Sequence, residues 1–370
     1  MRIDHSIVYP LSIPLKQVFK TARGEKTHAQ TVMIALHTDT GLVGWGEASS
    51  SSYITGNTQA SNVVLAEEMA GLIKGKDPLA IEARMRDLNG FIAGGGSAVR
   101  AAFDLALYDL LGKAAGLPLY QVLGGSRRPL RTDCTIGLKD TVEETVAEAE
   151  ELLAQNFDAI KLKVGRAGLE DVAHVKALRE CVGPDVQIKV DANQGWDYPT
   201  AVANIEAMAP FDLEYAEQPL PVWDYANQKR LRDKVALPLC ADESVFDDKD
   251  AFKLVSTGAV DYLNIKLSKS GGIHTALKIN ALAEAAGCKC MIGCFSESRL
   301  SLSAAAHLAM ARPNIAFLDL DSAYSFQSDP VVGGMTYDEA EGGVIHLPDA
   351  PGLGAEIRPE VLAACQSTTV

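Results

Sequence analysis

The sequence predicts an α/β protein whose larger part is a (β/α)8-type barrel. Between residues 132 and 321, eight short apolar runs alternate with helical segments, at the roughly 25 residues per unit that such a barrel needs. A doubly wound open sheet is the alternative, but it rarely contains eight such even units, and no G-x-G-x-x-G motif follows a strand here. The predicted strands are RTDCTIG, AIKLKVG, VQIKVDAN, LEYAEQP, LPLCADES, YLNIKLS, CMIGCF and IAFLDLDS.

An α+β segment precedes the barrel, and a shorter segment follows it. Strand-like runs with a D-T-G turn open the chain, and Ala/Leu-rich helices follow, the last of which ends at Gly116 before Pro118. Little periodicity is left after Asp321, so we expect the tail to fold back onto the N-terminal part. These patterns predict a capping domain at residues 1–125, the barrel at 126–322, and a segment at 323–370 that completes the capping domain.

Composition and charge narrow the class of protein. With 47% hydrophobic and 22% charged residues, the chain is typical of a globular protein with a large core. The formal net charge of −14 argues against nucleic acid or an anionic membrane as a partner. No apolar run approaches the ~18–20 residues of a membrane span, and acid and proline interrupt the N-terminus where a signal peptide would be apolar. We expect a cytoplasmic protein, and a homo-oligomer, that acts on a small molecule.

Charged or amide side chains follow the apolar run of most predicted strands. Because barrel strands present their carboxyl ends to one mouth, these side chains are expected to converge on a single cavity. A lone Asp after a strand is more often a helix N-cap than a ligand, but capping does not explain the whole set. The residues are Lys161 and Lys163, Asp191 and Asn193, Glu217, Asp242 and Glu243, Lys266, Glu297, and Asp319 and Asp321.

Three consecutive strand ends carry the carboxylates Asp191, Glu217 and Asp242. Carboxylates brought together from neighbouring strands repel one another unless a cation lies between them. Ligands that are all oxygen suit a hard ion, and Mg²⁺ takes a few carboxylates while leaving positions for water or substrate. We therefore predict one magnesium ion per subunit at these three residues.

Lysines flank the three carboxylates on both sides. Lys161 and Lys163 lie two residues apart in one strand, so their ammonium groups face the same way, and Lys266 comes from the opposite side of the barrel. A lysine that removes a proton α to a carboxylate must be partly neutral near pH 7, so its pKa must fall by about 2–3 units. A neighbouring ammonium group and a divalent cation are both expected to lower it. A solvated edge strand and a Schiff-base aldolase are the alternatives, and neither accounts for three carboxylates in succession.

The motifs KLKVG, DANQGW, EYAEQPL, ADES, NIKLSKSGGI and GCFSESRLSLSAAAHLA, in this order, resemble those of the enolase superfamily, muconate-lactonizing subgroup. The resemblance covers essentially the whole chain, including AVRAAFDLALYDLLGKAAGLPLYQVLGG before the barrel. It implies that Lys163 is a catalytic base, that Lys161 lowers its pKa, and that Lys266 is the opposing acid or base. It also implies magnesium ligands at the three carboxylates, with Asn193 supporting them from behind. The mandelate racemase branch has a histidine at the seventh strand end, where this chain has GCFSES.

Within the subgroup, Asp319 and Asp321 form an Asp-x-Asp at the eighth strand end that resembles the signature of dipeptide epimerases. An anionic pair can receive the α-ammonium group of a peptide, although either Asp could instead cap the following segment. The implied reaction inverts the α-carbon of the C-terminal residue of a dipeptide, through proton abstraction and return by Lys163 and Lys266 and a metal-stabilised enediolate. The Ala-Glu type is one candidate.

Three further residues are candidate substrate contacts. Thr135 lies at the first strand end, Glu297 follows the seventh strand, and Arg23 lies in the loop FKTARGEKTHAQ, which we expect to cover the barrel mouth. Arg23 is a candidate partner for an acidic side chain. Lys20 and Lys26 of the same loop are expected to be solvated.

Other reactions of the subgroup stay open as alternatives. The substrates of o-succinylbenzoate synthase, N-succinylamino acid racemase and muconate cycloisomerase carry no ammonium group, so the Asp-x-Asp argues against them. A non-catalytic barrel predicts the loss of a metal ligand or a lysine, and none is missing.

Overall fold

The computed structural model describes residues 1–370 and begins with an antiparallel sheet. Its first strands are β1 (Ile3–Thr21), β2 (Gly24–Thr38) and β3 (Val43–Ser49). Four helices follow: α1 (Gln59–Ile73), α2 (Ile81–Phe91), α3 (Ser97–Ala115) and α4 (Leu119–Val122). This part is the N-terminal capping domain that the fold prediction includes.

Eight parallel strands form the barrel sheet, in which the spatial order of the strands is their order in the chain. A short strand, β4 (Leu130–Arg131), precedes them. The barrel strands are β5 (Cys134–Ile136), β6 (Ala159–Lys163), β7 (Gln187–Asp191), β8 (Leu213–Glu217), β9 (Leu239–Ala241), β10 (Tyr262–Lys266), β11 (Lys289–Gly293) and β12 (Ile315–Leu318). The helices between them are α5 (Val142–Ala154), α6 (Glu170–Val182), α7 (Tyr198–Met208), α8 (Tyr225–Lys234), α9 (Asp248–Thr257), α10 (Leu267–Ser270), α11 (Ile273–Ala285) and α12 (Arg299–Ala311).

The sheet curves back so that its first and last strands meet. The amide of Asp133, next to β5, donates to the carbonyl oxygen of Leu318 in β12 at 3.2 Å. After β12 the chain forms a single 3-10 turn, Ser322–Ser325, in the place of an eighth α-helix. The prediction of an eight-stranded α/β barrel with a capping domain is confirmed, and its last unit lacks the helix.

The tail contains short elements that return to both parts of the chain. They are β13 (Val331–Gly333), β14 (Thr336–Tyr337), β15 (Val344–His346), β16 (Ala355–Ile357), α13 (Pro359–Ala364) and β17 (Thr368–Thr369). Strand β17 pairs with β1, and β15 pairs with β4. The domain boundaries given above stay a prediction.

Helix α3 is apolar on almost every side because it lies between the N-terminal sheet and the barrel. Two glycines of β3 let the helix come close to the strand. A Cβ atom at Gly46 would lie 1.8 Å from the carbonyl oxygen of Ala102, and one at Gly44 would lie 2.2 Å from that of Ala106. Although α3 is long and apolar, neither it nor any other helix meets the length and hydropathy that a membrane span requires.

Buried carboxylates of the capping domain bind the N-termini of two barrel helices. Asp104 of α3 accepts from the amide of Ile273, the first residue of α11, at 2.5 Å. Glu47 of β3 accepts from the amide and hydroxyl of Ser298, directly before α12, at 3.0 and 2.6 Å. Both helix ends have free amides and partial positive charge, which a carboxylate satisfies. The capping domain is therefore fixed relative to the barrel mouth by hydrogen bonds as well as by apolar packing.

The β1–β2 hairpin extends over the barrel mouth and is attached to the barrel on two sides. The amide of Leu138, after β5, donates to the carbonyl of Lys20 at 3.0 Å. The backbone amide of Gln327, after β12, donates to the carbonyl oxygen of Pro14 at 2.9 Å. The side-chain amide of Gln327 donates to the carbonyl oxygen of Leu15 at 3.0 Å. The end of this hairpin, residues 19–28, is called the hairpin tip below.

His307 of α12 joins three parts of the chain in the core. Its Nδ1 accepts from the amide of Tyr120 in α4 at 3.2 Å, and its Nε2 lies 3.3 Å from the carbonyl oxygen of Leu353 in the tail. The neutral ring with its proton on Nε2 satisfies both contacts. Burial lowers the pKa of His307 to about 4, because a charged ring would lose its hydration and face the amide of Tyr120.

This histidine makes stability depend on pH in a defined window. The unfolded chain takes up the proton near pH 6.5 and the folded chain only near pH 4, so stability is fully present above pH 6.5 and falls as the pH drops towards 4. The loss amounts to roughly 3 kcal/mol. In His307→Gln, the unfolding free energy from urea titrations should depend less steeply on pH between 4 and 6.5. The difference in slope should correspond to about one proton. The exposed His28, changed to Gln, is the matched control, and an unchanged slope in His307→Gln would contradict the assignment.

Candidate active site

The carboxyl ends of the barrel strands open into a cavity of about 390 Å³. Strand-end residues form its floor, and its cover includes the hairpin tip and Ser51, Tyr53 and Ile54 from the loop after β3. Of the residues that the sequence places in the site, the cavity is lined by Arg23, Thr135, Lys161, Lys163, Asn193, Asp242, Lys266, Asp319 and Asp321. The convergence expected from the barrel pattern is thus present.

The three carboxylates predicted to bind a metal lie side by side at this end of the barrel. Asp191 and Glu217 are the last residues of β7 and β8 and are paired in register, and Asp242 follows β9 directly. Their exposed fractions are 0%, 0% and 2%. Burial and Asp191 raise the pKa of Glu217 to about 7, so the charge of Glu217 is not fully compensated by the protein alone.

These residues fit a hard divalent cation. Glu217 accepts from the amide group of Asn264 through one oxygen at 2.6 Å, and its other oxygen, Oε2, is buried without a hydrogen-bond partner. Glu243, adjacent to Asp242, has a second such oxygen, and burial and Asp242 raise its pKa to about 7. Asn193 donates from its side chain to Glu243 at 3.3 Å and from its backbone to Asp191 at 2.9 Å, the supporting position predicted for it. Buried carboxylate oxygens that receive no hydrogen bond are suitable ligands for Mg²⁺.

Each of the three carboxylates is also contacted by a lysine. The Nζ of Lys163 lies 2.5 Å from Asp191, that of Lys266 lies 2.8 Å from Asp242, and that of Lys161 lies 3.6 Å from Glu217. Lys161 also forms an ion pair with Asp319, which follows β12, two strands away. Lys163 and Lys266 are the last residues of β6 and β10, so ammonium groups flank the carboxylates from two sides.

The carboxylates around Lys161 and Lys266 raise the pKa values of both lysines, and the lowered pKa expected of a catalytic lysine beside a divalent cation stays a prediction. Burial lowers the pKa of Lys161, but Asp319 and Glu217 raise it by more, and the result lies well above the ordinary value. For Lys266, Asp242 and Glu217 likewise outweigh burial and raise the pKa. Carboxylates from other strands lie within 4 Å of each ammonium group, and they decide the direction.

A second acidic group lies at the junction of the first and last strands. Carboxylate oxygens of Asp133, Asp319 and Asp321 lie within 4.8 Å of one another. Asp133 is neutralised by Lys189 at 3.0 Å, and Asp319 by Lys161, whereas burial and Asp319 raise the pKa of Asp321 to about 6. The sequence does not indicate Asp133, because it precedes its strand instead of following it.

Thr135 lies inside this group. Its amide donates to Asp321 at 2.7 Å, and its hydroxyl lies 3.4 Å from Asp319. The structure therefore brings together Thr135 and the Asp-x-Asp pair, as the sequence interpretation of a common substrate site requires. Asp321 remains partly exposed to the cavity, so it can bind a cationic group there.

Two predicted substrate contacts, Glu297 and Arg23, differ in their access to the cavity. Glu297 is buried behind the strand ends and does not line the cavity, and burial together with Glu47 raises its pKa to about 7. Arg23 lines the cavity at the end of the hairpin tip, but its side chain is exposed to solvent. Lys26 of the hairpin tip also lines the cavity and is partly buried, so the expectation of a solvated side chain is wrong for it.

Lys269 is a buried charge of this site that the sequence interpretation did not select. It lies one helical turn after Lys266, in the short helix α10, and donates to the backbone carbonyl and the carboxylate of Asp242 at 2.5 and 2.6 Å. Lys266 and Lys269 together hold the pKa of Asp242 below its usual range despite burial. The K-x-x-K spacing at the end of this buried strand indicates that Lys269 lies near Lys266.

Models of two protein families match the chain. A model described as the mandelate racemase / muconate lactonizing enzyme N-terminal domain matches residues 5–124, and one described as enolase C-terminal domain-like matches residues 144–361. The chain belongs to the enolase superfamily. The predicted superfamily and fold are confirmed.

Relatives and solved structures of this superfamily cover almost the whole chain. A hydrophobic dipeptide epimerase of Enterococcus faecalis is 41% identical over 96% of this chain and 99% of its own length, and an L-Ala-D/L-Glu epimerase of Clostridium acetobutylicum is 40% identical over the same shares. A dipeptide epimerase of Cytophaga hutchinsonii, crystallised with Mg and D-Ala-L-Val, superposes with a TM-score of 0.97 at 34% identity, covering 100% of both chains. Relatives of this kind are epimerases and racemases, and this member of the enolase superfamily is an isomerase.

Replacing Lys269 should destabilise the protein through Asp242. In Lys269→Met, two carbonyl groups and the Asp242 carboxylate lose a buried donor, and only Lys266 still balances the charge. We expect the free energy of unfolding in urea to fall by about 3 kcal/mol.

The exposed Lys278 of α11, changed to Met, is the matched control and should leave stability nearly unchanged. A loss below about 1 kcal/mol in Lys269→Met would show that the ion pair with Asp242 contributes little.

Proposed function

We propose that the protein is a magnesium-dependent dipeptide epimerase that inverts the α-carbon of the C-terminal residue. The observation that carries this proposal is the pair Asp319 and Asp321, which lines the same cavity as Asp242, one of the three carboxylates predicted to bind the metal. A substrate that carries both an ammonium group and a carboxylate matches an acidic pair and a metal position in one cavity. The names of the epimerases of Enterococcus faecalis and Clostridium acetobutylicum support the same substrate class.

The ammonium end of the substrate is assigned to the Asp-x-Asp pair. Asp321 is oriented by the amide of Thr135, keeps an exposed edge, and is not neutralised by a lysine, since the Lys161 ion pair is formed with Asp319. A dipeptide's α-ammonium group would supply that missing positive charge. Its arrival would also favour the ionised form of Asp321, whose pKa is otherwise raised.

The carboxylate end is assigned to the metal position. Asp191, Glu217 and Asp242 would hold Mg²⁺, and Asn193 would keep Asp191 and Glu243 in place. When bound, Mg²⁺ supplies Lewis-acid stabilisation of the negative charge that develops on the substrate carboxylate. The buried Oε2 of Glu217, which has no hydrogen-bond donor and faces the Lys161 ammonium group only at 3.6 Å, supports this assignment.

Lys163 and Lys266 are the proton-transfer groups of the proposal. They come from strands on opposite sides of the carboxylates and end in the same cavity, so an α-carbon between them can lose a proton to one lysine and gain one from the other. Lys161, held charged by Asp319, remains an electrostatic stabiliser of the developing anion.

The proposal is tested by exchange of the α-proton in D₂O. The protein with Mg²⁺ should introduce deuterium at the α-carbon of the C-terminal residue in members of a dipeptide panel, followed by mass spectrometry, and chelation of the metal should stop it. Failure to exchange the α-proton of any dipeptide, with the fold intact by circular dichroism, overturns the proposal.

The roles of Lys163 and Lys266 can be distinguished, because each lysine should act on a different face of the substrate α-carbon. Lys163→Ala and Lys266→Ala should each lower epimerisation by at least about 10³-fold, because each removes one proton-transfer group. Single-turnover exchange with each diastereomer should show that one variant still exchanges the proton of one substrate epimer but not of the other. If both variants kept turnover, the two-base arrangement would be wrong.

Asp321→Asn should discriminate between substrate classes. It removes a charge that the proposal assigns to the substrate ammonium group, so kcat/KM should fall roughly 10- to 100-fold for dipeptides and little for N-succinylamino acids, which lack that group. An equal loss on both classes would count against the ammonium site and in favour of an N-succinylamino acid racemase.

A further inference from the structure

A second lysine, Lys189 of β7, is buried inside the barrel beside Lys161. The two residues are paired in register on neighbouring strands, and Lys189 lies two residues before Asp191, so its side chain also points into the barrel. Its exposed fraction is 3%, and it does not line the cavity. Lys189 therefore cannot touch a substrate, and any effect on the site must pass through its neighbours.

The charge of Lys189 lies against Asp133, at the junction of the first and last barrel strands. Its ammonium group donates to Oδ2 of Asp133 at 3.0 Å and lies 3.6 Å from Glu214, which is partly exposed. The rings of Tyr215 and Phe317 also lie close to it, with ring centres at 5.8 and 5.5 Å. Because the pair is buried beside these rings, water screens it little, and the charge of Lys189 acts strongly on Asp133.

Asp133 in turn lies against the Asp-x-Asp pair. Its exposed fraction is 1%, its Oδ1 receives no hydrogen bond, and one of its oxygens lies within 4.8 Å of oxygens of Asp319 and Asp321. The backbone amide of Asp133 donates to the carbonyl oxygen of Leu318, directly before Asp319, at 3.2 Å. This contact limits how far the three carboxylates can separate to relieve their repulsion.

The charges of this group balance except for one. Lys189 neutralises Asp133 and Lys161 neutralises Asp319, which leaves Asp321 as the carboxylate without a lysine. Without the charge of Lys189, two of the three carboxylates would be uncompensated at short range, and they would share a proton because both cannot easily ionise. A proton on Asp321 would remove the anion to which the proposed function assigns the substrate ammonium group.

We propose that Lys189 and Asp133 are positioning residues for the proposed epimerisation, because their ion pair keeps Asp321 ionised and ready to receive the substrate ammonium group. This rests on the proposed function and adds two residues that do not touch the substrate. The charges of Lys189 and Asp133 should change the pH dependence of the reaction in opposite directions. Residues that only fill the barrel interior would not have opposite effects.

Of the groups whose charges act on Asp321, only Asp133 changes charge in the same range of pH. Burial and Asp319 raise the pKa of Asp133 to about 7 and that of Asp321 to about 6. Burial raises the pKa of Asp319, but Lys161 lowers it by more, and Lys161 itself stays charged. The other neighbours are thiols and phenols that stay neutral because burial raises their pKa values: Cys134, Cys294, Tyr324 and Tyr337.

The test measures kcat/KM for α-proton exchange between pH 5 and pH 9, with the Mg²⁺-loaded protein and the dipeptide of the panel that exchanges fastest. The profile of each variant is divided by that of the wild type, which cancels groups that both proteins share, such as Lys163. In Lys189→Met, Asp321 should need a higher pH to ionise, so the ratio should rise by roughly 10-fold from pH 5 to pH 9.

Asp133→Asn should have the opposite effect. It removes a negative charge beside Asp321, which should then ionise at lower pH, so the ratio should fall by roughly 10-fold as the pH rises. The double variant Lys189→Met/Asp133→Asn has the net charge of the wild type, and its ratio should not depend on pH. Lys189→Arg should also keep the wild-type profile. The matched control is Lys289→Met, which changes an exposed lysine at the first residue of β11 and should give a constant ratio.

The outcomes separate this inference from the function on which it rests. The assignment of Lys189 and Asp133 is overturned if either single variant gives a constant ratio, if both ratios change in the same direction, or if the double variant keeps a slope. Asp133→Asn and the double variant decide even if Lys189→Met does not fold. These results would leave the epimerase standing, whereas the absence of exchange in the wild type would overturn the proposed function.

Discussion

The barrel mouth depends on pairing between lysines and carboxylates that are buried together. Lys163 contacts Asp191, Lys266 and Lys269 contact Asp242, and Lys161 lies between Glu217 and Asp319. Burying so many charges in a protein interior is costly, and only close pairing makes it tolerable. The pairing also has a consequence for the proposed chemistry: a divalent cation at the carboxylates would compete with the ammonium groups for the same oxygens. Metal binding and lysine charge would then be linked through shared carboxylates.

The capping domain extends the same electrostatic principle to the outside of the barrel. Asp104 and Glu47 place carboxyl oxygens at the N-termini of α11 and α12, the helices that follow β10 and β11. These helix ends lie at the same end of the barrel as the strand ends, so the domain that covers the cavity is attached beside it. Neither carboxylate stands out in the sequence, because each lies within an apolar helix or strand pattern and its partner is far along the chain.

Periodicity and barrel geometry account for what the sequence predicts correctly. The eight strands follow from the alternation of apolar runs and helices, and Asp191, Glu217 and Asp242 converge because parallel strands end on one side. The ion-pair partners of the buried lysines do not follow from these patterns. Lys161 and Asp319 lie 158 residues apart, so the direction of the lysine pKa values depends on a contact that sequence spacing does not contain. For Lys26, the strand register shifts between Pro14 and Phe19, and such an irregularity hides which face of the hairpin points inward.

The hairpin that covers the cavity and the residues proposed to carry out the chemistry belong to different parts of the fold, so they can change independently in evolution. The groups proposed to move protons and hold the metal are fixed by the barrel strands, whereas the β1–β2 hairpin reaches the cavity from another part of the chain. The hairpin is attached to the barrel through its backbone carbonyls at Pro14, Leu15 and Lys20. Side chains on its inner face are thus not constrained by the reaction or by the folding of the barrel. Single substitutions there can explore new substrates one at a time, while the catalytic apparatus stays unchanged.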